Sequence, residues 1–275
     1  MTTMISIHSY RGGTGKSNLV ANLATSLVLQ GRRVAILDAD IQSPGIHLLF
    51  GLDETQIKLT LNDYLWGRCP LSEVVYDVSP VLDPAPAASN PASSASPTAQ
   101  AVGDRARLYL VPSSMKATEI ATVLSEGYDV ELLYRGLNEL RHLLALDYLL
   151  IDTHPGLSEE TLLAIGLSHL ILVVLRPDYQ DYQGTAVFVE VARELDVSRM
   201  MLVMNKVLLE FDAQALQQQL ETTYQVPVAG VLPVSTEMIR LGSQGIFCLR
   251  YPEALLTQEI NRIVQKIQEV VDVQS

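Results

Sequence analysis

Tyr10–Ser17 reads YRGGTGKS and lies between two apolar stretches, Met4, Ile5, Ile7 and His8 before it and Leu19, Val20, Leu23, Leu27 and Val28 after it. The first is short enough for a buried strand and the second recurs at helical spacing, so the glycines occupy a strand-to-helix turn. In that setting a Gly-Lys-Ser sequence binds phosphate. Gly12, Gly13 and Gly15 admit backbone angles closed to other residues, so the amides from Gly12 through Thr14 to Asn18 can turn inward around an anion. The helix that opens near Lys16 adds its unpaired N–H groups and the positive end of its dipole. In such a site Lys16 reaches the terminal phosphates and the Ser17 hydroxyl ligates Mg²⁺.

Position 10, where a strict G-x-x-x-x-G-K-[ST] motif places its first glycine, is Tyr10, and the paired glycines follow Arg11 directly. The arrangement resembles the deviant Walker A loop, K-G-G-x-G-K-[ST], of the MinD/ParA group of SIMIBI-class P-loop ATPases, which also includes the nitrogenase iron protein. Arg11 stands where that family has its signature lysine. The resemblance implies an α/β fold, a mainly parallel twisted sheet with helices on both faces. It also implies a slow, partner-stimulated ATPase that closes two subunits face to face on ATP. Arg11 keeps the positive charge and offers a planar fork to phosphate. Its implied catalytic part, in trans or in cis like an arginine finger, is to stabilise charge in the transition state.

The bulk composition agrees with this reading. A chain of 275 residues with 48% hydrophobic content can bury a sheet covered on both faces, here as one domain. Thirty-one acidic residues against 19 Lys and Arg give a net charge of -12, which argues against a dedicated nucleic-acid binder. The two cysteines, Cys69 and Cys248, form no CxxC pattern, and a reduced, cytoplasmic location is expected. No apolar run approaches the length of a membrane span, and no leader pattern precedes the first strand.

Beyond the first helix, Val34–Leu37 forms a strand that ends in Asp38-Ala39-Asp40. Carboxylates at the C-terminal end of a parallel strand sit beside the phosphate loop, although an Asp-x-Asp taken alone also suits a solvated strand end. Asp40–Leu52 resembles the family's switch I, which implies that Asp40 positions the attacking water and that Asp38 supports the Mg²⁺ shell. From residue 79 to 104 the sequence is rich in Pro, Ala and Ser with almost nothing to bury, and a disordered surface loop is expected. Order resumes at the strand Arg107–Val111, followed by helices near Lys116–Ser125 and Val130–Ala145.

Tyr148–Ile151 is a second apolar strand running into Asp152-Thr153-His154-Pro155-Gly156. Asp152 is placed to hold Mg²⁺, directly or through water. The loop resembles the family's switch II, D-T-P-P-G, with the implication that the Gly156 N–H faces the γ-phosphate. His154 replaces a proline, and as a lone imidazole it reads as a loop residue rather than a general base. Helix Glu159–Leu167, strand Leu170–Leu175, helix Tyr182–Leu195 and strand Met200–Asn205 then alternate, which implies parallel crossovers.

That strand ends in Asn205-Lys206-Val207-Leu208. Leucine at 208 lacks the carboxylate by which N-K-x-D recognises guanine, so ATP is the expected nucleotide. The resemblance implies that Asn205 contacts the adenine and that Pro233 and Ser235, in the loop after Val228–Leu232, form a second base-side wall. Ala254–Val271 carries an apolar stripe that is expected to pack on the sheet. Its polar side mixes Arg262 and Lys266 with acids, which disfavours a membrane helix.

The expected function is a Mg²⁺-dependent, ATP-driven dimerisation switch that positions or partitions cargo with an activating partner protein. A nucleotide-binding regulator without a sandwich dimer and a metalloenzyme-maturation ATPase are the alternatives, the latter disfavoured by the unpaired cysteines. The surface served is open between nonspecific DNA, through Arg240, Arg250, Arg262 and Lys266, a partner protein, and, less favoured, membrane.

Overall fold

The computed structural model describes residues 2–82, 105–197 and 199–272. Strand β1 (Thr3–His8) leads into α1 (Lys16–Leu29), β2 (Arg33–Ala39), the short helices α2 (Ile46–Leu49) and α3 (Leu61–Leu65), β3 (Tyr76–Asp77) and β4 (Arg107–Val111). Helices α4 (Ala117–Glu126) and α5 (Val130–Leu143) precede β5 (Tyr148–Thr153). Alternation continues through α6 (Glu159–Leu167), β6 (Leu170–Leu175), α7 (Tyr179–Glu194), β7 (Met200–Val207), α8 (Ala213–Tyr224) and β8 (Val228–Pro233). Helices α9 (Thr236–Leu241), α10 (Phe247–Arg250) and α11 (Leu255–Asp272) follow.

Hydrogen bonding joins the strands into one eight-stranded sheet in the order β3-β4-β2-β5-β1-β6-β7-β8. Every pairing is parallel except that of the edge strand β3 with β4. The winding reverses at β1, which has β5 on one side and β6 on the other. The crevice outside the C-terminal ends of strands at such a reversal is where open α/β sheets take ligands.

Alternation along each strand distributes the core to both faces. Ile5, Ile7, Val34, Ile36, Leu150 and Leu172 meet α1 and α11, whereas Ala35, Leu37, Leu149 and Ile151 meet α3 and α5. Further along the same second face, Ile171, Val173, Leu202 and Met204 pack on Phe188 and Val189 of α7 and on Leu220 and Tyr224 of α8. Strands buried on both sides read as continuous apolar runs, which is why the expected sheet was legible.

Helix α11 lies against β8 and α1, with Ile260, Ile263, Val264 and Ile267 buried, as the stripe predicts. Contact is close because Gly230 lacks a side chain: a Cβ there would come 2.7 Å from Ile263 Cγ1. No helix among the described residues is long and apolar enough to cross a membrane.

The expected disordered loop needs correction at its start. Ser79–Leu82 forms a 3-10 turn, anchored by the Leu108 N–H donating to Ser79 Oγ at 2.9 Å and by Val81 and Leu82 packing on the core. Those two apolar residues give this stretch area to bury that the Pro/Ala/Ser sequence after it lacks. The remainder of the expected loop, 83–104, lies outside the described residues.

Candidate nucleotide site

The glycine-rich loop is held from above by the end of β7. Gly13 and Gly15 have φ of +79° and +91°, and Gly15 in that left-handed conformation caps α1. The Asn205 side-chain amide donates to Thr14 O at 2.8 Å, and Lys206 Nζ donates to Gly13 O at 2.7 Å. Lys206 itself has φ +61°, a conformation compensated by its N–H donating to Asn205 Oδ1 at 2.8 Å. Lys206 carried no expectation from sequence, because its partner is 193 residues away.

Beneath the loop one cation faces several acids. Lys16 Nζ lies 3.2 Å from Asp152 Oδ1 and 3.8 Å from Asp40 Oδ2. Asp38 and Asp152 are register partners on β2 and β5, so both side chains come to the same point below Lys16. Asp38 is 1% exposed. One of its oxygens accepts from the Asp40 N–H at 3.2 Å, and Oδ2 has no hydrogen-bond partner among the described residues. Burial first, then the neighbouring Asp152 and Asp40, push the Asp38 carboxyl well above the usual range. Burial also raises Asp152, against the opposing pull of Lys16 and the Ser17 hydroxyl.

Hard oxygens short of positive charge suit a cation such as Mg²⁺. Among the described residues no group of His, Cys, Asp and Glu is arranged to hold a metal by itself. Mg²⁺ is ordinarily held by one or two carboxylates together with waters and phosphate oxygens.

The loops after β2 and β5 meet across the crevice. His154, expected to be a plain loop residue, instead places Nδ1 2.6 Å from Asp40 Oδ1. The Gly156 N–H, expected to face phosphate, donates to Ser9 O at 3.1 Å, so in this conformation the amide extends the contact between β5 and β1. His8 is fully buried, its imidazole held down to about 3 by burial and then by the charge of Lys16. Thr153 gives its one hydroxyl proton to Ile7 O, so His8 Nδ1, 2.9 Å from Thr153 Oγ1, is the donor. Tyr10 packs on Gly184 of α7, where a Cβ would meet its ring at 2.0 Å. Arg11 is exposed, with the Asp181 carboxylate of α7 near enough to be lowered by its charge, after the larger effects of burial and Arg176.

Beside Gly15 opens a cavity of about 250 Å³, lined by Asn18, Asn205, Pro233, Ser235, Met238 and Ile239 with Leu256 and Ile260 behind. Its walls are mostly apolar with a few polar groups, the composition of a site for a flat heterocycle. The structure therefore brings together Gly12–Asn18, Asp38, Asp40, Asp152, Asn205, Pro233 and Ser235 at one end of the sheet. Of the expected basic patch, Lys266 Nζ is turned to Val228 O at 3.0 Å, whereas Arg240, Arg250 and Arg262, the last paired with Glu259, are exposed.

Residues 5–246 match the family model described as the CobQ/CobB/MinD/ParA nucleotide binding domain. The chain belongs to that family. An uncharacterised ATP-binding protein of Methanocaldococcus jannaschii is 26% identical over 268 residues, 97% of this chain and 88% of that protein. The flagellum site-determining protein YlxH of Helicobacter pylori is 28% identical over 177 residues, 64% of this chain but 49% of its own length. Among solved structures, the cell division ATPase MinD of Pyrococcus furiosus superposes with a TM-score of 0.76 at 21% identity, covering 98% of this chain and 100% of that one. MinD of Pyrococcus horikoshii, solved with Mg-ADP, gives 0.75 at 22% identity over 100% and 99%. These likenesses establish the MinD/ParA-type P-loop fold.

For a MinD/ParA-family loop, Gly15 is the position least tolerant of a side chain. Gly15→Ala puts a Cβ 2.6 Å from Asn205 Nδ2 and holds alanine in a left-handed conformation costing about 1–2 kcal/mol. Titration with a fluorescent ATP analogue is expected to read about tenfold weaker binding. Adding Asn205→Ala should then weaken binding less than it does alone, because both changes remove one contact.

Proposed function

We propose that this chain is a Mg²⁺-dependent ATPase whose two copies close face to face when ATP is bound, serving intracellular positioning or partitioning of a cargo. The observation that carries the reading is Lys16, an amine held by Asp152 and Asp40 directly under the phosphate loop. Incoming phosphates offer Lys16 a stronger set of acceptors. Asp152 and the Ser17 hydroxyl would hold Mg²⁺, with Asp38 supporting the shell. Mg²⁺, when bound, supplies charge neutralisation at the phosphates. Gly12 through Asn18 cradle the phosphates, and Gly156 offers its N–H once its bond to Ser9 opens. Asn205, Pro233 and Ser235 contact the base. Leu208, 48% exposed, supplies no carboxylate for guanine, so adenine is favoured. Asp40 orients the attacking water.

The exposed Arg11 guanidinium supports a role at a partner's nucleotide. It lies on the same end of the molecule as the exposed apolar side chains Tyr179, Leu209 and Ile239, 72–75% exposed, in loops or helix starts that follow β6, β7 and β8. Exposed apolar groups of that size mark contact surfaces. Delivery of metal, as in the cytosolic Fe–S cluster assembly factor cfd1 of Emericella nidulans, 30% identical over 57% of this chain, is disfavoured. Cys248 is buried with its thiol pushed up to about 12. Which surface the switch serves, DNA, a partner protein or, less favoured, membrane, is decided by binding assays with ATP rather than by the three exposed arginines.

Molar mass in solution tests the switch, using Asp40→Ala to slow turnover. A dimer with Mg²⁺-ATP and a monomer with Mg²⁺-ADP is expected. A monomer with both nucleotides overturns the dimerisation reading and leaves a regulator that binds nucleotide alone.

A further inference from the structure

We propose that His154 is a positioning residue for hydrolysis, fixing the Asp40 side chain so that Oδ2 is presented to the phosphate loop. The inference rests on the proposed reading of Asp40 as the residue that orients the attacking water.

The geometry begins with strand register. Asp38 pairs with Asp152 and Ala39 with Thr153 across β2 and β5, so the next residues, Asp40 and His154, leave the sheet side by side. His154 Nδ1 lies 2.6 Å from Asp40 Oδ1, and a carboxylate has no proton to give, so the imidazole N–H donates. The Ser43 N–H donates to the same oxygen at 3.2 Å. Both bonds load Oδ1, and Oδ2 is left toward Lys16 Nζ, 3.8 Å away.

An aspartate χ2 is broad when free. Two donors converging on one oxygen from different loops remove that freedom. The backbone at His154 is itself anchored, because Thr161 Oγ1 donates to the His154 carbonyl at 3.2 Å and Thr161 is 1% exposed on α6. Switch I is thereby tied to switch II and to the start of α6 before nucleotide arrives. A proline at 154, as in the loop this sequence resembles, has no donor to offer and would leave Oδ1 with Ser43 alone. The polar link is an addition made by this chain.

The test is single-turnover hydrolysis at saturating Mg²⁺-ATP, with KM measured alongside. His154→Ala is expected to lower kcat by about ten- to a hundredfold with KM changed less than about twofold, the signature of a lost orientation rather than lost binding. His154→Asn puts an amide N–H where Nδ1 stands and should recover turnover to within about threefold of the unaltered chain, whereas His154→Gln, whose amide extends further, should not. The second readout needs no turnover: the imidazole 15N spectrum of the nucleotide-free protein should show His154 protonated at Nδ1, a signature that shifts in Asp40→Ala.

His154→Ala with undiminished kcat, or His154→Asn no better than His154→Ala, overturns the proposal. If Asp40→Ala abolishes turnover while His154→Ala leaves it intact, this inference alone fails. Retained turnover in Asp40→Ala overturns the reading of Asp40 and this inference with it.

Discussion

Replacing Lys16 by alanine is expected to lower ATP turnover by about 10²–10³-fold, the cost of removing one preorganised donor from a developing oxyanion, and to lower the melting temperature as well. The second effect follows from what Lys16 holds in the nucleotide-free protein. It is 7% exposed and its partner Asp152 1% exposed, so the pair is buried, and removing one member of such a pair costs about 3–5 kcal/mol. At roughly 2–4 °C per kcal/mol for chains of 150–250 residues, the melting temperature should fall by on the order of 10 °C.

The pH dependence of that loss has a definite sign. Asp152 is already raised by burial and is restrained by Lys16. Without the amine it rises further. An acid whose folded value lies above its unfolded one carries a penalty that is absent below the unfolded value, near 3.8, and grows as pH climbs toward the folded value. The difference in melting temperature between Lys16→Ala and the unaltered chain should therefore be smaller at pH 5 than at pH 8, read by circular dichroism in chelator. Lys16→Met, which keeps the apolar stem, separates packing from charge. Full turnover with a lowered melting temperature would make Lys16 a structural counter-ion only and sink its proposed phosphate role.

How much of this was legible in the sequence follows from sequence distance. The phosphate loop is local: its glycines, Lys16 and Ser17 lie in one turn, and Asp38 and Asp152 are marked by the apolar strands that end on them. Contacts formed by register are not local. His154 reads as an isolated imidazole until β2 pairs with β5 and brings it to Asp40, 114 residues away. Lys206 meets Gly13 only because the last strands return to the central one.

Helix α8 had no expectation and helix α7 starts earlier than expected, for a different reason. Helix α8, AQALQQQLETTY, lays only Leu216, Leu220 and Tyr224 on the core, a stripe one residue wide in a glutamine-rich stretch. Helix α7 starts three residues before its apolar face does, because Asp178 caps it by accepting from the Gln180 and Asp181 N–H groups, a polar signal that hydrophobic spacing does not carry. The cavity beside Gly15 draws on α1, β7, β8, α9 and α11 together, and of its lining Gly15, Asn18, Asn205, Pro233 and Ser235 had a motif to announce them.

Asp38→Asn separates stability from function at this site. In the nucleotide-free protein the substitution should raise the melting temperature, and in the ATPase assay it should lower turnover by about 10²-fold, comparable with removing an electrostatic contact to the reacting phosphates. The stabilisation comes from geometry already present. Asparagine has the shape of aspartate, and its carbonyl can still accept from the Asp40 N–H that now meets Asp38 Oδ1 at 3.2 Å. Its amide replaces Oδ2, which has no partner among the described residues, and puts a donor among acids that disfavour a second charge.

Replacing buried ionic groups by well-packed neutral ones is often neutral or stabilising by up to about 1–4 kcal/mol, at most a few degrees to about ten here at roughly 2–4 °C per kcal/mol. The sign again fixes the window. Asp38 is raised above 3.8, so its ionised form costs stability, nothing below that value and progressively more as pH rises toward the folded one. In chelator the unaltered chain should lose stability across that range, and Asp38→Asn should lose less. Adding Mg²⁺-ATP should then reverse the order, stabilising the unaltered chain by more than the variant, if the charge that burial penalises is the one proposed to support the cation. A lower melting temperature for Asp38→Asn in chelator would mean that Asp38 is a satisfied member of the core, and the account of an acid kept buried for its ligand would be wrong.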